Sequence, residues 1–170
     1  MLSGESCEEL LVHSVWEIFK ELKPDNFPDV ISSFKGEYDF LNNRHKCSFV
    51  WQGIRYNNAE SAFQASKHTD EADRKVISRM STDKAVMKSW DCIPSPEWEE
   101  CKLDIMESIL FAKFDQNPNL KKRLTETNDC ILINDNNKHE TYWGVDLYSW
   151  NGENHLGKIL MTIRDKEKST

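Results

Sequence analysis

Ser48-Phe49-Val50-Trp51-Gln52-Gly53-Ile54-Arg55-Tyr56-Asn57-Asn58-Ala59-Glu60-Ser61-Ala62-Phe63-Gln64-Ala65-Ser66-Lys67 carries, side by side, both textures from which the fold is built. The runs 48–51 and 54–56 are aromatic and β-branched, and they flank Gln52-Gly53, the pattern of a hairpin. Asn57 or Asn58 then offers a side-chain acceptor to the first free amides of a helix. That helix begins at Ala59 and runs through Ala62, Phe63, Ala65 and Lys67 towards His68. A hairpin feeding directly into a helix points to an α+β domain.

Working outward, the texture from Val30 to Tyr56 reads as β, with Phe34, Tyr38 and Phe40 ahead of a polar loop at 42–46. Towards the C-terminus, helical spacing dominates. One stretch covers roughly 70–90. Ser95-Pro96-Glu97 then supplies a cap, a first-turn proline and a first-turn acid. The long helix that follows, about 96–115, aligns Trp98, Cys101, Ile105, Met106, Ile109, Ala112 and Phe114. Asn117-Pro118 ends it, and 120–124 begins another short helix. Ile131-Leu132-Ile133 is a short buried strand, 134–138 a polar loop, Asn151-Gly152-Glu153-Asn154 a turn, and 156–166 a last helix. The result is a predominantly helical single α+β domain with a small antiparallel sheet over 30–170. Ahead of it, Leu10, Leu11, Val15, Ile18, Phe19 and Leu22 predict an amphipathic helix over 8–22. Residues 1–29 thus read as a helical extension packed on the domain.

Composition excludes several classes. The 170 residues carry a formal charge of −7, with a pI near 5.3, so the broad basic face of a duplex-binding protein is not expected. Lys121-Lys122-Arg123 reads as a solvated helix end. Five widely spaced cysteines without Cys-x-x-Cys, and no signal-peptide pattern in the first residues, predict reduced thiols in a cytoplasmic or nuclear protein. No run approaches membrane-span length. The histidines never fall at ligand spacing with one another or with the cysteines, so no metal is expected. No glycine fingerprint for a dinucleotide occurs, and no cofactor is expected. Six tryptophans supply a core and leave rings over for stacking a flat base.

Chemistry concentrates in two places. On a helix, Glu60, Gln64 and Lys67 fall at i, i+4 and i+7, which puts a carboxylate, an amide and an amine on one line. By spacing alone this is either an acid/base pair with a positioning amide or a solvated polar face. The second place is Glu140-Thr141-Tyr142-Trp143-Gly144 with Gly152-Glu153-Asn154-His155-Leu156-Gly157. Read by themselves, these are turn and cap residues.

Taken in order, Phe34-Lys35-Gly36-Glu37-Tyr38-Asp39-Phe40-Leu41-Asn42-Asn43, the segment 60–67, Lys113-Phe114-Asp115-Gln116-Asn117, Leu124-Thr125-Glu126-Thr127-Asn128-Asp129, Tyr142-Trp143-Gly144, Asn154-His155-Leu156-Gly157 and Leu160-Met161-Thr162-Ile163-Arg164 form a succession. It resembles the NADAR (YbiA-like) N-glycosidase family over about 34–165. The resemblance implies a YbiA-like fold and cleavage of an N-glycosidic bond at the anomeric carbon of a ribose. Members of the family either remove ADP-ribose from modified guanine in nucleic acid or act on riboflavin-pathway intermediates, releasing ribose 5-phosphate. The first is the reading taken here, with the second and a non-catalytic ADP-ribose-binding module as alternatives.

By the same resemblance, Glu60 and Lys67 carry the chemistry, with Glu140 as a second carboxylate. The resemblance also puts Asn43, the base-stacking Trp143 and a turn at Gly152 and Asn154 on substrate, while the residues themselves add Gln64 as a positioning amide, Gly144 beside the ring and Arg44 at a phosphate. Trp51 or Trp90 could add to the stacking, and Lys46 or Arg164 could join Arg44 at a phosphate; Arg164 reads equally as a structural helix-end salt bridge. The implied partner is ADP-ribosylated nucleic acid or a nucleotide-like small molecule, with no membrane; the oligomeric state stays open. Two positions depart from the family pattern: Asn42 replaces a serine and Glu140 an aspartate. A carboxylate moved by a methylene matters in a site tuned at the ångström scale. Two mechanisms fit. Glu60 and Glu140 activate a water, or Lys67 forms a Schiff base with ring-opened ribose while Glu60 moves protons. A close Glu60–Lys67 ion pair would work against the second.

Overall fold

The computed structural model of the chain describes residues 29–136, 140–146, 148–149 and 151–168. The helix expected over 8–22 lies outside these residues. Strand β1 (Val30–Ile31) is followed by a 3-10 helix (Gly36–Leu41), then β2 (Phe49–Trp51) and β3 (Ile54–Tyr56). Helices α1 (Ala59–Ser66), α2 (Glu71–Ser78), α3 (Thr82–Lys88), α4 (Pro96–Asp115) and α5 (Pro118–Thr125) come next. Strands β4 (Ile131–Leu132), β5 (Asp135–Asn136) and β6 (Val145–Asp146) lead to α6 (His155–Lys168).

The hairpin forms where expected. Phe49 faces Tyr56, Val50 faces Arg55 and Trp51 faces Ile54 across an antiparallel pair. Gln52 and Gly53 both sit at positive φ, 46° and 75°, the backbone a two-residue turn needs to match strand twist. The period of two buries Phe49, Trp51, Ile54 and Tyr56 on one face and leaves Arg55 in solvent. Arg74 Nη1 donates to Gln52 Oε1 (2.8 Å), tying the turn to α2. Two further pairs are parallel, β1 with β4 and β5 with β6.

The β-texture over 30–56 holds only at its ends. Between them, Gly36 at φ 58° turns the chain, Tyr38 N–H donates to Lys35 O, and residues 36–41 close into a 3-10 helix that buries the adjacent Phe40 and Leu41. The apparent alternation of Phe34, Tyr38 and Phe40 comes from this tight coil and not from a pleat.

Asn58, not Asn57, caps α1. Its Oδ1 accepts from Ser61 N–H (2.8 Å), and its Nδ2 donates to Thr82 Oγ1 (2.9 Å) at the start of α3. The stretch 70–90 is two helices, because Ser81 starts a second one. Helix α4 begins as the sequence predicts, with Ser95 accepting from Trp98 N–H and Pro96 in the first turn. Its buried stripe differs in detail: Cys101 is exposed, while Leu110 and Lys113 are wholly inside. Helix α1 packs against α2, α3 and α4, and α4 also carries β2, α5 and α6, so α1 and α4 together organise the core. Among the described residues no helix is long and apolar enough to cross a membrane.

Candidate functional site

The site is built on α1. Ala59, Ser61, Ala62 and Ala65 face the interior with almost no exposure, which lets neighbouring elements approach closely and fixes the helix rotationally. The opposite line of residues 60, 63, 64 and 67 is thereby set towards α4 and the 140–157 region. Glu60 Oε1 accepts from Gln64 Nε2 (2.8 Å), one helical turn on. Gln64 is 9% exposed, so the amide that holds the carboxylate is itself held by packing. At the other end of the residue, Glu60 N–H donates to Asn43 O (2.9 Å), and this bond ties the 42–46 loop to the first turn of α1.

Asn43 sits beside α4, its Nδ2 3.6 Å from Met106 Sδ, while its Oδ1 is buried and has no hydrogen-bond partner. A buried acceptor left open at the end of the loop that α1 ties down is suited to a donor on a bound molecule. The loop is anchored from below by Lys113. This lysine is wholly buried, and its Nζ donates to Phe40 O (2.7 Å) and Asn42 O (3.0 Å). Burial lowers its pKa to about 8, against smaller opposing effects of Cys47 and Asp39. Asn42 Oδ1 accepts from Arg44 N–H (2.8 Å) two residues on, a local turn bond that serine also makes, so this departure from the family pattern leaves the loop intact.

Lys67 caps the C-terminal end of α1. Its Nζ lies 5.6 Å from the centre of the Trp98 ring. No carboxylate among the described residues pairs with it; Glu60 is engaged by Gln64 instead. Seven residues of helix separate the two by about 10 Å along the axis. Between them stands Phe63, 5.3 Å from Trp98 and 5.2 Å, edge-on, from Trp143. Trp98 Nε1 donates to Ser66 Oγ (2.9 Å). Tyr142 and His155 extend the cluster, and Lys102 Nζ lies 4.3 Å from the centre of the Tyr142 ring. His68, next along the chain, has its pKa lowered chiefly by burial, with Asp73 opposing, and its Nε2 lies 3.3 Å from Ser89 Oγ.

The Trp143 loop is held by its own side chains. Glu140 Oε1 accepts from Tyr142 N–H and Trp143 N–H (both 2.8 Å), and Oε2 also reaches Trp143 N–H (3.1 Å). Asn154, at φ 51°, accepts from Asn134 N–H at Oδ1 (3.0 Å) and donates from Nδ2 to Leu132 O (2.9 Å). Its backbone N–H donates to Gly144 O (3.2 Å). The Gly152 and Gly157 backbones come so close to their neighbours that a Cβ would stand 2.2 Å from Gly144 O and 2.1 Å from Leu132 O, respectively.

Glu60, Gln64, Lys67, Asn43 and Trp143 therefore gather around one face of α1 and the rings beside it. Three other candidates do not. Trp51 is buried in the hairpin, with its Nε1 donating to Ser108 Oγ (3.0 Å), so it is core. Arg164 is buried and donates to Cys130 O (2.7 Å) and Thr127 Oγ1 (3.3 Å), so it ties α6 to the chain before β4 and is not placed to meet a phosphate. Trp90 is 73% exposed beyond α3. Arg44 stays at the rim, paired with Asp83 of α3 (2.7 Å). The residues missed by sequence reasoning are Phe63, Trp98 and Lys113. Phe63 falls on the same i, i+3, i+4, i+7 line as the polar trio, and that spacing was the available signal.

Comparison with known proteins bears on the family and the fold. The NADAR domain family matches residues 25–166. The N-glycosidase YbiA of Escherichia coli K12 is 32% identical over 137 residues, covering 79% of this chain and 84% of that one. The riboflavin biosynthesis protein VVA0006 of Vibrio vulnificus is 29% identical over 132 residues, which is 76% of this chain but 35% of that protein. The solution structure of E. coli YbiA superposes with a TM-score of 0.73 at 28% identity, covering 84% of this chain and 87% of its own. The fold is that of a YbiA-like protein. The chain belongs to the NADAR domain family.

Proposed function

We propose that this protein removes ADP-ribose from ADP-ribosylated guanine in nucleic acid, in the cytoplasm or nucleus. Its reaction class is that of its relatives: it is an N-glycosyl hydrolase. The observation that carries the reading is the Gln64–Glu60 hydrogen bond. It fixes a carboxylate on the α1 face while Lys67, on the same face, has no acidic partner among the described residues.

In the reaction, the ribose C1–N bond breaks and the pair of electrons leaves with the base. Glu60, protonated, gives its proton to that base; ionised, its charge faces the positive charge growing on the ribose. Lys67 Nζ, as the free amine, forms the new bond to C1. The bond from C1 to the ring oxygen then opens as the ring oxygen takes a proton from that nitrogen, leaving an imine, and water adds to release the aldose, restore the amine and return a proton to Glu60. Asn43 Oδ1 accepts from a ribose hydroxyl and Trp143 stacks the base. Glu140 and Asn154, whose side chains bind the main chain of the Trp143 loop and of β4, act as positioning residues. Gly144 offers only its backbone, and Arg44 must release Asp83 to reach a phosphate.

The substrate is tested by incubating the protein with an ADP-ribosylated guanine oligonucleotide and following free ADP-ribose by mass spectrometry; turnover is expected. Two relatives carry riboflavin biosynthesis in their names, which favours the second reading if ribose 5-phosphate is instead released from an early riboflavin intermediate. ADP-ribose binding without turnover of either would leave a binding module. The lysine step has its own test. Borohydride added during turnover is expected to trap a covalent adduct on Lys67 and inactivate the enzyme. An active enzyme that never traps, together with a Lys67→Ala variant of near-normal turnover, sinks the Schiff base in favour of an activated water.

A further inference from the structure

On the other side of α2, a surface groove of about 520 Å³ runs between the hairpin and the C-terminal end of that helix. Arg55, Lys75 and Arg79 line it together with Asn57, Ser78 and the hairpin residues Gly53 and Ile54. No carboxylate lines it, in a chain whose formal charge is −7. Lys75 is paired with Glu71 (2.5 Å) one turn back, and Arg55 Nη1 reaches Ser48 Oγ (3.1 Å). Arg79 has no ion pair among the described residues. The wall is stiff: Arg74 pins the hairpin turn through Gln52, Gly53 sits at positive φ, and Arg55 projects from a paired strand. Arginines held on a strand and a helix end, with their charge uncompensated, are what successive phosphodiesters recognise.

The groove lies close to the site along the chain. Asn57, on its lining, follows β3 and stands three residues before Glu60, a span of no more than about 11 Å. We propose that this groove is a phosphate track for the strand flanking the modified base, binding single-stranded nucleic acid through Arg55 and Arg79. The inference rests on the nucleic-acid reading of the substrate. It reconciles that reading with the acidic chain, because a local track needs two or three cations and no global positive charge.

The test is fluorescence anisotropy of a labelled, unmodified single-stranded oligonucleotide, titrated with the 170-residue chain between about 20 and 150 mM salt. Wild type is expected to bind with an affinity that falls as salt rises. The variant Arg55→Ala/Arg79→Ala should flatten the log–log salt slope by about 1.4, two phosphate contacts at about 0.7 each on a single strand. Lys121→Ala/Lys122→Ala removes the same net charge on α5 and should leave the slope unchanged. Equal slopes for the two variants, or no binding by wild type at the lowest salt, overturn the proposal. Displacement of the oligonucleotide by sub-millimolar inorganic pyrophosphate also overturns it, since that marks a site for a nucleotide's phosphates and not for a strand. The two readings fail separately. Slope-altering binding without turnover of ADP-ribosylated guanine removes the substrate assignment and keeps the groove, while turnover with an unaltered slope does the reverse.

Discussion

Glu60→Gln is expected to lower turnover by about 10²–10⁴-fold, the range that general acid–base catalysis contributes, with little change in thermal stability. The substitution is close to isosteric. Its amide oxygen can still accept from Gln64 Nε2, and the backbone N–H still meets Asn43 O, so the first turn of α1 keeps its geometry. What is lost is the proton and the charge. The measurement is kcat on the ADP-ribosylated oligonucleotide beside a thermal melt. Turnover within a factor of a few of wild type, in a protein melting at the same temperature, would remove Glu60 from the chemistry under both the lysine and the water mechanisms.

Lys113→Met is expected to cost about 2–4 kcal/mol of stability. Removing the amine strands Phe40 O and Asn42 O in the interior, each at about 1–3 kcal/mol, and part of this is returned because no ammonium has to be buried. The loss carries a pH signature. Burial holds Lys113 at about 8 in the native state, against 10.5 in the unfolded chain. Below pH 8 both states are charged and the penalty of burial is present in full. Between pH 8 and 10.5 the native state releases a proton that the unfolded state keeps, so stability rises with pH, by at most about 3 kcal/mol. The neutral amine still has two N–H groups for its two carbonyls. Urea melts of wild type and variant at pH 7 and pH 10 should therefore differ more at pH 10. Cys47, whose thiol is pushed up by burial, acts in the opposite direction but is present in both proteins. A gap that stays constant or shrinks with pH would show that Lys113 does not change its charge in this range.

Much of this architecture was legible because it rests on local rules. The hairpin, the Asn58 cap, the Ser95-Pro96 start of α4 and its end at Asp115 each depend on a few adjacent residues. The 3-10 helix at 36–41 was not, since a coil set by Gly36 and a pleat can bury the same spaced aromatics. Lys113 was invisible for a different reason: a lysine on a helical stripe reads as solvated until the carbonyls that receive it, some 70 residues away in sequence, are known. In the site, the line of Glu60, Gln64 and Lys67 followed from helical periodicity, but the partner of Glu60 did not. The departure at Glu140 looked grave as a shifted catalytic carboxylate. Its oxygens return to Tyr142 and Trp143 N–H, a reach that the extra methylene still permits. Trp51 was misread, and Arg164 had to be left between a phosphate and the structural role it plays beside Asp165, because burial depends on how the hairpin and α6 pack, which spacing does not encode.

Helix α1 has eight residues, and six of them are buried. The remaining two are Glu60, bonded to Gln64, and Ser66, which receives the indole of Trp98. No position on this helix is idle. A random substitution anywhere along it either opens or overfills the core, or disturbs the carboxylate or the ring beside it. Substitutions on the solvent faces of α2 and α3 are expected to cost less than any along this helix. These two turns of helix leave the chain almost no room for change.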